Sequence, residues 1–153
     1  MDKGDLVENF TLPDEHGVQR SLSEFLAAGP VVLFFYPAAM TKGCTAESCH
    51  FRDLAGEFAE VHAQRVGISA DSVEKQKQFS TMHSFDYPLL SDPDGVVARQ
   101  FGVKRSFGPL PVKRWTFVIG PDARVIEVIK SETRMGVHGD RALEVLRERA
   151  AAS

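Results

Sequence analysis

The sequence predicts an α/β fold in which a mixed central sheet is flanked by helices. Residues 31–36 are six consecutive apolar or aromatic residues, which suits a strand buried on both faces of a sheet. Apolar residues at 51, 54, 55 and 58 then repeat at helical spacing. A strand and a helix follow in the same order, and such alternation favours parallel pairing. With 153 residues and 43% hydrophobic content, we expect one domain over 1–153.

The chain before the central strand is predicted to form an N-terminal β-hairpin. Residues 10–18 resemble two short strands around a Gly-containing turn, and residues 23–27 can begin a short helical turn. This hairpin would be an extension to the central sheet.

The middle of the chain is predicted to alternate between helices and strands. Asp71 and Glu74 resemble a capping box, which predicts the start of a helix. Asp92 and Asp94 are typical of a turn, and they form too short a fragment for a calcium loop. The expected elements are a helix at 44–61, a strand at 65–70, a helix at 71–83, a strand at 87–90 and a helix at 96–101.

The last third of the chain is predicted to hold two antiparallel strands and a final helix. Residues 102–113 form a loop rich in Gly, Pro and basic residues, and this loop brings Arg114 to the head of the next strand. Phe107 and Leu110 in this loop are candidates for the substrate mouth. The strands are expected at 115–119 and 124–129 and the helix at 140–150, with Ala142, Val145 and Leu146 facing inward.

Composition excludes several function classes. A net charge of −3 without a long charge run argues against nucleic-acid and membrane-surface partners. No apolar run approaches the roughly 20 residues that span a bilayer, and no apolar leader follows a basic region, so we expect a cytoplasmic protein. Two cysteines in such a reducing compartment indicate redox or metal chemistry rather than a structural disulfide.

Cys44 is the first candidate for that chemistry. Pro37 ends the central strand, Gly43 allows a sharp turn, and Cys44 therefore lies in or just before the first helical turn. The unpaired N–H groups and positive dipole of a helix start favour a thiolate over a thiol. For an arbitrary cysteine after a core strand, the alternative is a small buried apolar residue.

The residues around Cys44 resemble the active-site signature of peroxiredoxins, and in particular of the Q type, also called bacterioferritin comigratory proteins. The signature residues are Pro37, Thr41 and Cys44, continued by Thr45, Glu47, Cys49, Phe51, Arg52 and Asp53, and the similarity extends from residue 4 to residue 119. The resemblance implies a thioredoxin-like fold and thiol-dependent reduction of hydrogen peroxide and organic hydroperoxides without a metal or other cofactor. It also implies regeneration by thioredoxin or another thiol reductant.

The resemblance assigns roles that suit the chemistry of each group. It makes Cys44 the peroxidatic cysteine, and the guanidinium of Arg114 can stabilise its thiolate and donate to peroxide oxygens. The hydroxyl of Thr41 can accept from the peroxide O–H, and Pro37 can help to exclude water. Glu47 lies one helical turn after Cys44, so its carboxylate is a candidate to hold an arginine in place, either Arg114 or Arg52.

Cys49 is the candidate within the chain to condense with a sulfenic acid on Cys44. Five residues along an ideal helix give a rise of about 7.5 Å, beyond the roughly 7 Å that a disulfide can bridge between Cα atoms. The helix start must therefore unwind for this bond to form. The alternative is that Cys49 is a helix-face residue that never reacts.

Two other functions remain open at this level. A general thiol-disulfide oxidoreductase would also place a cysteine at a strand-turn-helix junction, although such enzymes usually use Cys-x-x-Cys. A metal-binding redox sensor would use Cys44 and Cys49 with His50 and His62, in a spacing that matches no zinc pattern. A monomer and a homodimer are both compatible with the sequence.

Overall fold

The computed structural model describes residues 1–108 and 110–152. In chain order these residues form β1 (Thr11–Pro13), β2 (Gln19–Ser21), α1 (Leu22–Leu26), β3 (Val31–Phe35), α2 (Lys42–Asp53), α3 (Ala55–Glu60), β4 (Gln64–Ser69), α4 (Val73–His83), β5 (Leu89–Ser91), α5 (Val96–Gln100), β6 (Trp115–Ile119), β7 (Val125–Lys130) and α6 (Met135–Ala152).

A mixed five-stranded sheet lies at the centre, in the order β5-β4-β3-β6-β7. Strand β3 pairs in parallel with β4 and antiparallel with β6, while β1 and β2 form a separate antiparallel hairpin. The predicted fold class, including the N-terminal hairpin, is confirmed.

Strand β3 is buried on both faces, as its apolar run predicts, and its residues alternate between two cores. Leu33 and Phe35 belong to one core, which includes residues of α1 and α5. Phe34 belongs to the other, which includes residues of α2, α4 and α6, and its ring stacks on Phe51 of α2 with a centroid distance of 4.2 Å. This contact fixes α2 directly over the sheet.

The prediction of one continuous helix over 44–61 is wrong, because two helices, α2 and α3, occupy this range. Helix α2 ends at Asp53, and Leu54 separates it from α3. The carbonyl of Phe51, which the N–H of residue 55 would use in a continuous helix, accepts a hydrogen bond from Arg65 Nη1 at 2.8 Å. A contact from β4 therefore accompanies the break.

The capping box predicted from Asp71 and Glu74 is also wrong. The N-cap of α4 is Ser72, whose hydroxyl accepts from the N–H of Lys75 at 3.2 Å. The carboxylate of Asp71 accepts instead from the N–H of Ala39 at 2.7 Å. Asp71 thus ties the start of α4 to the chain that follows β3.

The last helix begins five residues before the predicted start, at Met135 rather than 140. Its predicted inward positions, Ala142, Val145 and Leu146, are confirmed as buried. The earlier start places one further turn of α6 beside α2. No helix among the described residues is both long and apolar enough to cross a membrane.

Candidate active site

The segment between β3 and α2 has the strand-turn-helix form that the sequence predicts. Pro37 is buried, and Met40 adopts a left-handed backbone conformation with φ of 65°. Thr41 is the N-cap of α2, but its hydroxyl donates to the carbonyl of Ala38 at 2.8 Å rather than capping the helix. Cys44 is therefore the third residue of a helix whose first turn has no side-chain cap.

Cys44 is fully buried, and Arg114 Nη2 donates a hydrogen bond to its Sγ atom at 3.3 Å. Arg114 immediately precedes β6, and the antiparallel pairing of Phe34 with Thr116 brings that end of β6 to the end of β3. Two residues that are 70 positions apart thus meet where β3 ends and β6 begins. A guanidinium at this distance stabilises a thiolate by charge and by hydrogen bonding.

Glu47 holds the guanidinium from the other side. Arg114 Nη1 donates to Glu47 Oε1 at 2.8 Å, and both side chains are buried. Arg52, the other arginine considered, bonds to Asp53 and to the carbonyl of His83. Burial raises the pKa of Glu47 to about 8, against the lowering effect of Arg114.

Cys49 lies in the same unbroken helix as Cys44 and is partly exposed. Both cysteines are free thiols in this structure, and burial raises the pKa of the Cys49 thiol. An α-helical rise over five residues is about 7.5 Å, so the two Cα atoms are too far apart for a disulfide in this conformation.

Comparison with known proteins assigns the chain to a family. The model of the AhpC/TSA family matches residues 3–128. The crystal structure of peroxidoxin BcpB from Mycobacterium tuberculosis is 62% identical, with a TM-score of 0.93 over 97% of both chains. The chloroplastic peroxiredoxin Q of Sedum lineare is 39% identical over 145 residues, which cover 94% of this chain and 77% of that protein. The chain belongs to the AhpC/TSA family, as a Q-type peroxiredoxin.

A more distant structure agrees with this assignment. The bacterioferritin comigratory protein of Xanthomonas campestris is 30% identical, with a TM-score of 0.85 over 95% of this chain and 99% of that chain. As a peroxiredoxin, the chain is a thiol-dependent peroxidase with two cysteines.

His138 was not among the residues predicted from the sequence, and the structure places it in the same buried cluster. This side chain of α6 is fully buried, and its Nε2 atom lies 3.5 Å from Glu47 Oε2. A signal existed in the sequence, because residue 138 precedes the inward positions 142, 145 and 146 at helical spacing. The predicted start of the last helix at 140 excluded His138, although this residue belongs to that helix.

The structure also places the other residues that the sequence suggested. His50 Nε2 bonds to Asp140 Oδ1 at 2.7 Å, and His62 is exposed. Across residues 1–108 and 110–152, no group of three or more His, Cys, Asp or Glu side chains could hold a metal ion. Phe107 and Leu110 are exposed on the loop before β6, with 89% and 42% of their surfaces accessible.

Proposed function

We propose that Cys44 is the peroxidatic cysteine of this peroxiredoxin. The observation that supports the proposal is the hydrogen bond from Arg114 Nη2 to Cys44 Sγ, with Arg114 itself held by the buried Glu47. The thiolate sulfur attacks one peroxide oxygen, an S–O bond forms and the O–O bond breaks. The leaving oxygen takes a proton and departs as water or an alcohol, while Cys44 is oxidised by two electrons to a sulfenic acid.

Four groups would complete the site. The Thr41 hydroxyl donates its proton to a carbonyl, so its lone pairs remain available to accept from the O–H of a peroxide. The guanidinium of Arg114 and the N–H groups at the start of α2 stabilise negative charge on the leaving oxygen. Pro37, which is buried just before this segment, helps to exclude water.

Cys49 would then resolve the sulfenic acid. Its thiolate attacks the sulfur of oxidised Cys44, an S–S bond forms, and the hydroxyl leaves as water with one proton. Because α2 separates the two sulfurs, the helix start unwinds before this step. Thioredoxin or a similar thiol reductant reduces the disulfide, in a cytoplasmic setting that keeps such thiols reduced.

The proposed substrates are hydrogen peroxide and organic hydroperoxides. The bacterioferritin comigratory protein of Xanthomonas campestris is described with alkyl peroxide reduction activity. We propose that the chain acts as a monomer, with a homodimer as the other outcome that size measurements in solution would distinguish.

Intact mass and free-thiol counting after one equivalent of hydrogen peroxide would test both cysteine assignments. The wild type should lose two hydrogen atoms and both free thiols. Cys49→Ser should gain one oxygen atom, and Cys44→Ser should not react. If Cys44→Ser consumed peroxide as fast as the wild type, the assignment of Cys44 would be wrong. If the wild type never formed the internal disulfide, an external thiol would have to replace Cys49.

A further inference from the structure

His138 is a fully buried titratable group to which the proposed mechanism gives no role. It lies in the first turns of α6 and is held from three sides. Its Nε2 atom lies 2.7 Å from the carbonyl oxygen of Ser131 and 3.5 Å from Glu47 Oε2. Its Nδ1 atom lies 2.7 Å from the hydroxyl of Thr116 in β6.

These contacts determine where the imidazole carries its proton. A carbonyl oxygen can only accept, so Nε2 must carry hydrogen to bond to Ser131. Burial lowers the pKa of His138, which keeps the ring neutral and leaves Nδ1 without a proton. The Thr116 hydroxyl therefore donates to Nδ1. In this tautomer the Nε2–H group lies beside Glu47 Oε2, an oxygen that has no hydrogen-bond partner among the described residues.

We propose that His138 is a positioning residue for peroxide reduction, acting through Glu47 on Arg114. Its Nε2–H group favours the carboxylate form of Glu47, and this carboxylate holds the guanidinium within reach of the Cys44 sulfur. The inference rests on the proposed role of Cys44. It adds a fourth member, from the last helix, to a cluster that the family signature places around α2 and β6.

The charges around Glu47 determine the direction of the expected pH effect. Arg114 in front of β6 favours the carboxylate, while burial and the negative charge of Glu132 oppose it. Cys44 competes for the same guanidinium from α2, through the hydrogen bond to its sulfur. Without the N–H of His138, Glu47 would keep its proton to a higher pH and bind Arg114 less tightly.

Two substitutions at residue 138 separate positioning from packing. His138→Leu removes the N–H group, whereas His138→Gln keeps an N–H donor near the Nε2 position without a titratable ring. We expect the wild-type rate constant with hydrogen peroxide to rise as Glu47 ionises near pH 8, and His138→Leu to lower it by about 10- to 100-fold at that pH because the rise moves to more alkaline pH. We expect His138→Gln to stay within about threefold of the wild type.

Controls keep the result interpretable. His16→Leu, on an exposed histidine of the N-terminal hairpin, should leave the rate constant and its pH profile unchanged. If His138→Leu does not fold, Thr116→Val, which removes only the donor to Nδ1, should shift the profile in the same alkaline direction by a smaller amount. In the wild type, ¹⁵N NMR should find the His138 proton on Nε2.

Three results would overturn the inference. These are an unchanged pH profile in His138→Leu, equal losses in the Leu and Gln variants, and a proton on Nδ1 in the wild type. Loss of the wild-type reaction itself, or full reaction of Cys44→Ser, would instead refute the proposed function on which the inference rests.

Discussion

Replacing Glu47 by glutamine should make the protein more stable at alkaline pH. The pKa of Glu47 is raised from the usual 4.5 to about 8 in the folded protein, chiefly by burial. Below pH 4.5 the group is protonated in both the folded and the unfolded chain. As the pH rises to about 8, the unfolded chain releases this proton and the folded chain retains it, so stability is lost.

The size of the effect follows from the interval between the two pKa values. Each pH unit corresponds to about 1.4 kcal/mol, so the loss in free energy of unfolding reaches roughly 5 kcal/mol at pH 8 and above. Glutamine has the same shape and does not titrate. Because the pKa of about 8 already includes the attraction of Arg114, no separate ion-pair cost is subtracted, and the pH dependence of the difference is the test.

The assay is urea unfolding under reducing conditions at several pH values between about 4.5 and about 8.5. The difference in free energy of unfolding, Glu47→Gln minus wild type, should rise steadily across this range and level off above about pH 8. Glu60→Gln, at an exposed position at the end of α3, serves as the matched control and should follow the wild type. Parallel pH curves for Glu47→Gln and the wild type would refute the buried-carboxyl argument.

Three more substitutions test the remaining contacts. Arg114→Lys keeps the charge but loses the fork that reaches both Glu47 and the Cys44 sulfur, so the rate constant with peroxide should fall by about 100-fold or more in stopped-flow measurements. Gly43→Ala should slow the same reaction without lowering the free energy of unfolding, since its Cβ would lie 3.3 Å from both Arg114 Nη2 and Met135 Cε; an unchanged rate would contradict the geometry. Tyr87→Phe removes a 2.6 Å hydrogen bond to the carbonyl of Ser48 in the anchored part of α2, so it should lower the free energy of unfolding by about 1 kcal/mol and leave the rate of disulfide formation unchanged in a quenched thiol assay.

The parts of the fold that the sequence predicts well are those set by local periodicity. The buried strand after residue 30 and the strand at 115–119 both follow from apolar runs, and each has the expected place in the sheet. The errors arise where distant side chains intervene. Arg65 of β4 donates a hydrogen bond to a carbonyl at the break between α2 and α3. The backbone N–H of Ala39 donates to the carboxylate of Asp71, which therefore does not cap α4. Neither contact has a local signal.

The candidate site shows the same division. The position of Cys44 at a helix start follows from local pattern, but its contact with Arg114 depends on the pairing of β3 with β6. Arg114 was a candidate because of the resemblance to a family and not because of periodicity. The sequence made Glu47 a candidate partner for an arginine, but its burial depends on α6 covering that face of α2. His138 could be found only by extending α6 to its true start.

The contacts along α2 indicate which end of the helix moves under the proposed mechanism. Its later part is anchored by the stacking of Phe51 on Phe34, by Arg65 and by the hydroxyl of Tyr87. Its first turn has no side-chain cap, and Arg114 contacts Cys44 in this turn and Glu47 in the next one. Oxidation of Cys44 to a neutral sulfenic acid removes the thiolate that attracts the guanidinium, so the chemical step itself loosens this turn. The disulfide should therefore form by movement of the Cys44 end of α2 towards an anchored Cys49.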